Sequence, residues 1–204
     1  MAEDEHIDGW PPEAHRLASI GHVHALGQIT LLHNLLEDTI KEIFSFIVPT
    51  DQGYAKRLFH SLNNRERIDF LSAIIRENEK DEKVAEAVLT CLRFYDICTD
   101  NRNILMHGIY EDLDAATKTL TVHKTASQDP TRQIRFRLPL QELRLVAEHC
   151  GFTFVFAWKL FTFLYDRKLP KGRAPFEQKA LPEIPPQPRK LTPYQEQSAP
   201  RKKT

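Results

Sequence analysis

Val84, Val88, Cys91, Tyr95, Cys98, Arg102 and Leu105 follow one another in alternating steps of four and three. An α-helix brings such a series onto one stripe, and the stripe has the spacing of the seam of a packed helix. This predicts a long helix from about Asp81 to Met106, with Gly108 just beyond it as the stop signal. Six of the seven positions suit a core. Arg102 does not, because a guanidinium in a seam must be paired or held at a wet interface. Two readings follow: a functional cation, or a structural one bonded to a carboxylate such as Asp96 or Asp100, or to helix-end carbonyls.

The same spacing recurs elsewhere. Leu26, Ile29, Leu36, Ile40, Ile43 and Ile47 mark a long helix from about Ala14 to Ile47, open to a break near Gly21 or Gly27 and ended before Pro49. His33 fills the one missing place in that stripe. It reads as a core or interface histidine with a hydrogen-bonding partner, the alternative being a helper at an active site. A short helix is expected over Gly53–Leu62. Asn63-Asn64 is a break, with Asn64 and Arg67 opening the next helix, whose apolar face is Ile68, Leu71, Ile74 and Ile75. Thr119–His123 and Gln133–Leu138 alternate apolar with polar residues around the turn-like Ser127–Thr131, the pattern of a β-hairpin. A last helix, roughly Leu140 to Tyr165, carries aromatic residues on more than one face, as a central element or an oligomer surface would.

These elements predict an all-α fold: an antiparallel bundle of about five helices with a small β-hairpin inserted before the last helix. Residues 1–13, acidic and containing Pro11-Pro12, are expected to be a disordered arm, residues 14–167 the helical domain, and residues 168–204 a disordered, proline-rich basic tail. From Arg167 onward there are ten Lys/Arg against three Asp/Glu, so a chain of zero formal net charge divides into an acidic body and a basic tail. Within the tail, Pro185–Lys190 has the look of a ligand for an aromatic groove but reads more simply as linker. Three cysteines, an odd number on apolar helical faces, fit reduced core residues rather than a disulfide framework. No signal peptide or membrane span is visible, so a cytoplasmic protein without membrane partners is expected.

Arg102, Asn103 and His107 offer a permanent cation, a carboxamide and a proton-transfer group within six residues. That inventory is directed at phosphate. Asn103 and His107 share a helix face, whereas Arg102 lies about 140° around a regular helix from His107 and needs its length to converge. Arg135 and Arg137 share one face of the second hairpin strand and are candidate contacts to an RNA backbone, or simply its wet side. His22, His24 and His33 do not share a face suited to zinc, and no glycine-rich phosphate loop is present. No metal or cofactor is implied.

The stretch Asn101-Arg102-Asn103-Ile104-Leu105-Met106-His107-Gly108 resembles the signature of the HEPN superfamily (higher eukaryotes and prokaryotes nucleotide-binding). That signature is an Arg followed after four to six residues by a His, near a helix end, often with a polar residue straight after the Arg. The resemblance covers about Ala14 to Asp166. It implies a helical bundle that dimerises with the motifs of two subunits facing each other. It further implies metal-independent endoribonuclease activity, often in toxin–antitoxin or phage-defence systems, with Arg102 and His107 as the catalytic pair and Asn103 as accessory. An antitoxin or other protein partner would then be possible. Other members have lost catalysis and serve as modules that dimerise and bind nucleotide, RNA or protein.

Overall fold

The computed structural model describes residues 18–114, 117, 119–126, 129–169 and 175–194. The expected acidic arm, and the expected helix start at Ala14, lie outside the described residues. Five helices and three strands follow in the order α1 (Ile20–Ile47), α2 (Gln52–Ser61), α3 (Asn64–Asn78), α4 (Glu82–His107), β1 (Ile109–Asp114), β2 (Thr119–Ala126), β3 (Asp129–Pro139) and α5 (Leu140–Lys168).

Polar caps set the helix starts. Ser19 accepts from the His22 amide, Asp51 from those of Gly53 and Tyr54, and Asp81 from those of Lys83 and Val84. At α3 the cap is Asn63, not Asn64. Its side chain takes the Glu66 amide while Glu66 reaches back to the Asn63 amide. Arg67 therefore plays a different part. Its Nε donates to the Phe59 carbonyl at 2.7 Å and its Nη1 to Glu37 at 2.9 Å, which ties α3 to α2 and α1. α1 runs unbroken through Gly21 and Gly27, because packing along its length outweighs the modest glycine penalty.

Two contiguous cores result. The larger is mainly helical and holds Leu36, Ile40, Phe44, Phe59, Leu71, Val88, Tyr95 and Leu160. The smaller joins the helices to the sheet through Ile29, Leu105, Leu120, Val122, Phe136, Leu138 and Val146. Helices α4 and α5 run antiparallel as expected: Glu79, just before α4, pairs with Arg167 near the end of α5, and Cys98 meets Thr153 midway. α1 and α5 depart from that pattern. Gly21 lies against Leu140, Gly151 against Leu32, and Phe46 against Phe161 and Tyr165, so the first and last helices run parallel.

The expected hairpin is a three-stranded antiparallel sheet in the order β1-β2-β3. The additional strand, β1, follows α4 directly and pairs with β2 through a register shift between Tyr110 and Asp112. Gly108 joins α4 to β1. It is extended, not left-handed, and its need for glycine is steric: a Cβ there would lie 2.3 Å from Val122 Cγ1 and 2.6 Å from the Ile104 carbonyl oxygen.

Residues 175–194 of the proline-rich tail, expected to be disordered, are docked on the helices, and residues 170–174 and 195–204 of that tail lie outside the described residues. Phe176 packs on Trp158, Phe161 and Tyr165. Leu191 is buried in the helix–sheet core. The buried Asn101 grips the backbone beside Leu191: its Nδ2 donates to the Arg189 carbonyl at 2.8 Å, and its Oδ1 accepts from the Leu191 amide at 2.9 Å. Lys190 pairs with Asp100 at 2.6 Å and Arg189 with Glu142 at 3.1 Å. The strap thus spans α4 and α5 and ends against β3, where the Tyr194 amide donates to the Arg135 carbonyl. Of the Pro185–Lys190 segment, Arg189 and Lys190 are held by polar contacts within the same chain.

Candidate active site

The last two turns of α4 meet α1 at the end of the bundle capped by the sheet. Two cross-helix contacts set the geometry. His33 Nε2 and Thr99 Oγ1 are 3.0 Å apart, and the Thr30 hydroxyl lies 3.3 Å from Met106 Sδ, a weak acceptor. Arg102 sits between these contacts along α4. Its position in the seam is explained by this half-buried place at the bundle end rather than by a carboxylate.

The Asp pairing considered from the sequence does not form. Asp96 accepts from Asn64 Nδ2 at 3.2 Å, and Asp100 is taken by Lys190. Burial, reinforced by Asp100, holds the Asp96 carboxyl above the usual carboxylate range. Among the described residues Arg102 has no carboxylate partner. Its Nη1 instead donates to Asn103 Oδ1 at 3.1 Å and lies 3.3 Å from His107 Nε2. The three motif residues therefore converge on one nitrogen, despite the angular separation of Arg102 and His107 on a regular helix. The length of the arginine closes that gap, and His107, the final residue of α4, is exposed.

The direction of this bond fixes a proton. A guanidinium nitrogen only donates, so His107 Nε2 must present its lone pair and the ring proton sits on Nδ1. The arrangement sets an imidazole nitrogen against a cation that is steadied by a carboxamide. Displacement of His107 by an anion would free both a base and a charge clamp.

A polar layer backs the motif. Glu37 pairs with Arg67, whose guanidinium also covers the Phe59 ring at 4.1 Å. Tyr95 stacks on His33 with centroids 6.0 Å apart, and its phenol is pushed up to about 12, chiefly by burial. His33 is only 3% exposed. Burial lowers its pKa, with the Arg102 charge acting in the same direction and Glu37 against it. His33 Nδ1 and Arg102 Nε are both buried without a hydrogen-bond partner. The sequence placed His33 in the apolar stripe but offered no sign that it faces Arg102; only the α1–α4 packing does that.

Arg135 and Arg137 lie elsewhere. Phe136 and Leu138 point into the core, so the two arginines occupy the opposite face of the sheet. Arg135 Nε is 3.4 Å from Glu111, which also lies 2.9 Å from His123, and the Arg137 guanidinium covers the Tyr194 ring of the strap at 4.0 Å. The structure does not bring them to Arg102. A groove between α3 and α4 carries Arg65, Arg76 and Arg93, but Asp69, Glu86 and Asp96 line it too and balance their charge.

Among the described residues, no group of three or more His, Cys, Asp or Glu side chains could hold a metal ion, and no helix is long and apolar enough to cross a membrane. No protein-family model, curated protein or solved structure matches the chain.

Proposed function

We propose that the protein is a metal-independent endoribonuclease of HEPN type that works as a homodimer, in a toxin or defence setting. The observation that carries this reading is the convergence of Arg102 Nη1 on Asn103 and on the exposed His107, with no carboxylate neutralising the guanidinium among the described residues. An isolated structural arginine would be expected to have such a carboxylate.

The chemistry follows from these groups. His107 Nε2 takes the proton of a ribose 2′-hydroxyl, whose oxygen attacks the adjacent phosphorus. The bond from phosphorus to the 5′-oxygen breaks, and that oxygen receives a proton from a second acid. One chain supplies one such histidine, so the acid is the protonated His107 of a second copy. Arg102 donates to the non-bridging oxygens as charge builds on them, which a forked, permanently charged group does well. The products are a 2′,3′-cyclic phosphate and a free 5′-hydroxyl. DNA, which lacks the nucleophile, is left intact.

A surface for the second copy borders the motif. Val23, Gly27, Leu31 and Leu35 form one i+4 row on α1 and are all exposed. Leu31 and Leu35 are 61% and 50% exposed, and Phe152 and Val155 at the same level of the parallel α5 are 45% and 46% exposed. Such an apolar row is unusual on a monomer. It lies beside the Thr30 and His33 positions that touch α4, so pairing across it would bring two Arg102–His107 sets near one another.

The test is incubation of the purified chain with varied RNAs and excess chelator. Cleavage leaving cyclic phosphate ends is expected, with Arg102→Ala slower by about 10²–10³ and His107→Ala by about 10²–10⁴, both with the helical circular dichroism of the wild type. RNA left intact by the wild type, or cut equally fast by the variants, overturns the proposal. The excess of acidic over basic residues in the body favours a second reading, a non-cleaving HEPN-like module that dimerises and binds nucleotide, RNA or protein. RNA binding without cleavage in the same assay would identify it.

A further inference from the structure

We propose that His33 is a positioning residue for Arg102, its Nδ1 accepting the buried Arg102 Nε–H through one bridging water. This rests on the reading of Arg102 as the phosphate clamp.

Four observations converge on it. First, His33 is buried in the α1–α4 contact, where an unpaired imidazole nitrogen is costly. Second, its Nε2 is committed to Thr99. Third, its Nδ1 is buried without a partner, and so is one nitrogen of Arg102, the Nε. Fourth, the two residues sense each other electrically, and they sit on facing helices between the His33–Thr99 and Thr30–Met106 contacts.

The hydrogen-bond accounting favours one tautomer. Arg102 Nε can only donate, so it needs an acceptor. If His33 donates from Nε2 to Thr99, its Nδ1 is an acceptor. One water then accepts from Arg102 Nε and donates to His33 Nδ1, satisfying both atoms. In the reverse tautomer the water would have to accept from both nitrogens, leaving its own two hydrogens in need of acceptors inside the contact. The charged groups around the ring are Glu37 on its own helix, Arg102 on α4, and Arg67 of α3 paired with Glu37. Tyr95 and Thr99 supply the remaining polar contacts from α4. A neutral His33 suits this setting, since a second cation beside Arg102 would repel it.

The consequence is directional. With Nε fixed from below, the guanidinium plane cannot rotate about its stem, and Nη1 stays aimed at Asn103 and His107. His33 touches no substrate; it sets where the clamp points.

The experiment uses the full-length, ¹⁵N-labelled protein. Nitrogen shifts of His33 should report the Nε2–H tautomer, and a proton on Nδ1 overturns the proposal without any variant. The Arg102 Nε–H signal, identified by its loss in Arg102→Lys, should exchange slowly with solvent. His33→Phe keeps a ring on Tyr95 but removes the acceptor, and should speed that exchange about tenfold. His33→Asn puts an acceptor near the Nδ1 position and should restore slow exchange. Exchange indifferent to both substitutions refutes the idea. For RNA cleavage, His33→Phe should lower kcat by up to about a hundredfold with little change in KM, and His33→Asn should recover much of it. If the wild type cuts no RNA while the Nε–H follows this pattern, the nuclease reading fails and the positioning role stands. If RNA is cut but the Nε–H ignores His33, only the positioning role falls.

Discussion

Arg102 is tolerated in an apolar seam because of its length. Its stem fills the α1–α4 contact while its Nη1 reaches the rim, where Asn103 and the exposed His107 receive it. His33, deeper in that contact, has no such escape, and the molecule keeps it neutral instead. Burial, then Arg102, lowers its pKa, while Glu37 only partly opposes them. The unfolded chain therefore takes up a proton on His33 at a higher pH than the folded chain does. The stability that His33 permits is complete above the ordinary imidazole value of ~6.5 and declines as pH falls through and below it. Urea midpoints at about pH 7.5 and about pH 5, on either side of that value, should show a smaller loss on acidification for His33→Asn than for the wild type. An equal loss would show that other groups carry the pH dependence.

Among the elements, α4 does the most. One flank holds the helical core, its last turns carry the motif, and Asn101, one residue before Arg102, anchors the strap. Asn101→Ala leaves the Arg189 carbonyl and the Leu191 amide without their partner, at a cost of about 1–3 kcal/mol. Proteolysis between Gln178 and Leu191 should quicken accordingly, and strap cleavage at the wild-type rate would argue that Leu191 and Phe176 suffice as anchors. The helices were legible because burial repeats every three or four residues, and each apolar stripe singled out in the sequence lies largely in a core. β1 was not legible: Glu111, Asp112 and Asp114 are poor strand formers, and the strand exists because it adds to an edge of β2. The strap was not legible either. Its anchors are single residues far apart, and Asn101 binds backbone groups that almost every residue type possesses. The motif residues could be named from their spacing, but the meeting of Arg102 with His107, and the placing of His33 on the helix opposite Arg102, depends on side-chain reach and on which helices face each other.

For the whole molecule, the exposed row on α1 and its neighbours on α5 set the expected assembly. A carboxylate placed among them would be buried by dimerisation and would oppose it. Leu35→Glu should shift the chain from dimer to monomer in sedimentation while leaving its helical circular dichroism unchanged, and RNA cleavage should fall with the loss of the second histidine. A wild-type chain that sediments as a monomer at every concentration would remove the composite site, and a variant that remains dimeric would move the interface elsewhere.

Side-by-side, same-direction packing of the first and last helices has a consequence during synthesis. Ile29, Leu36 and Ile43 emerge from the ribosome early, yet the wall formed by Val146, Phe156 and Leu160 is translated roughly a hundred residues later. Closing the core waits for the C-terminal third of the chain, and Leu191 is added later still. Contacts so distant in sequence slow closure, and the unfinished nascent chain is the species with most greasy surface for chaperones to shield.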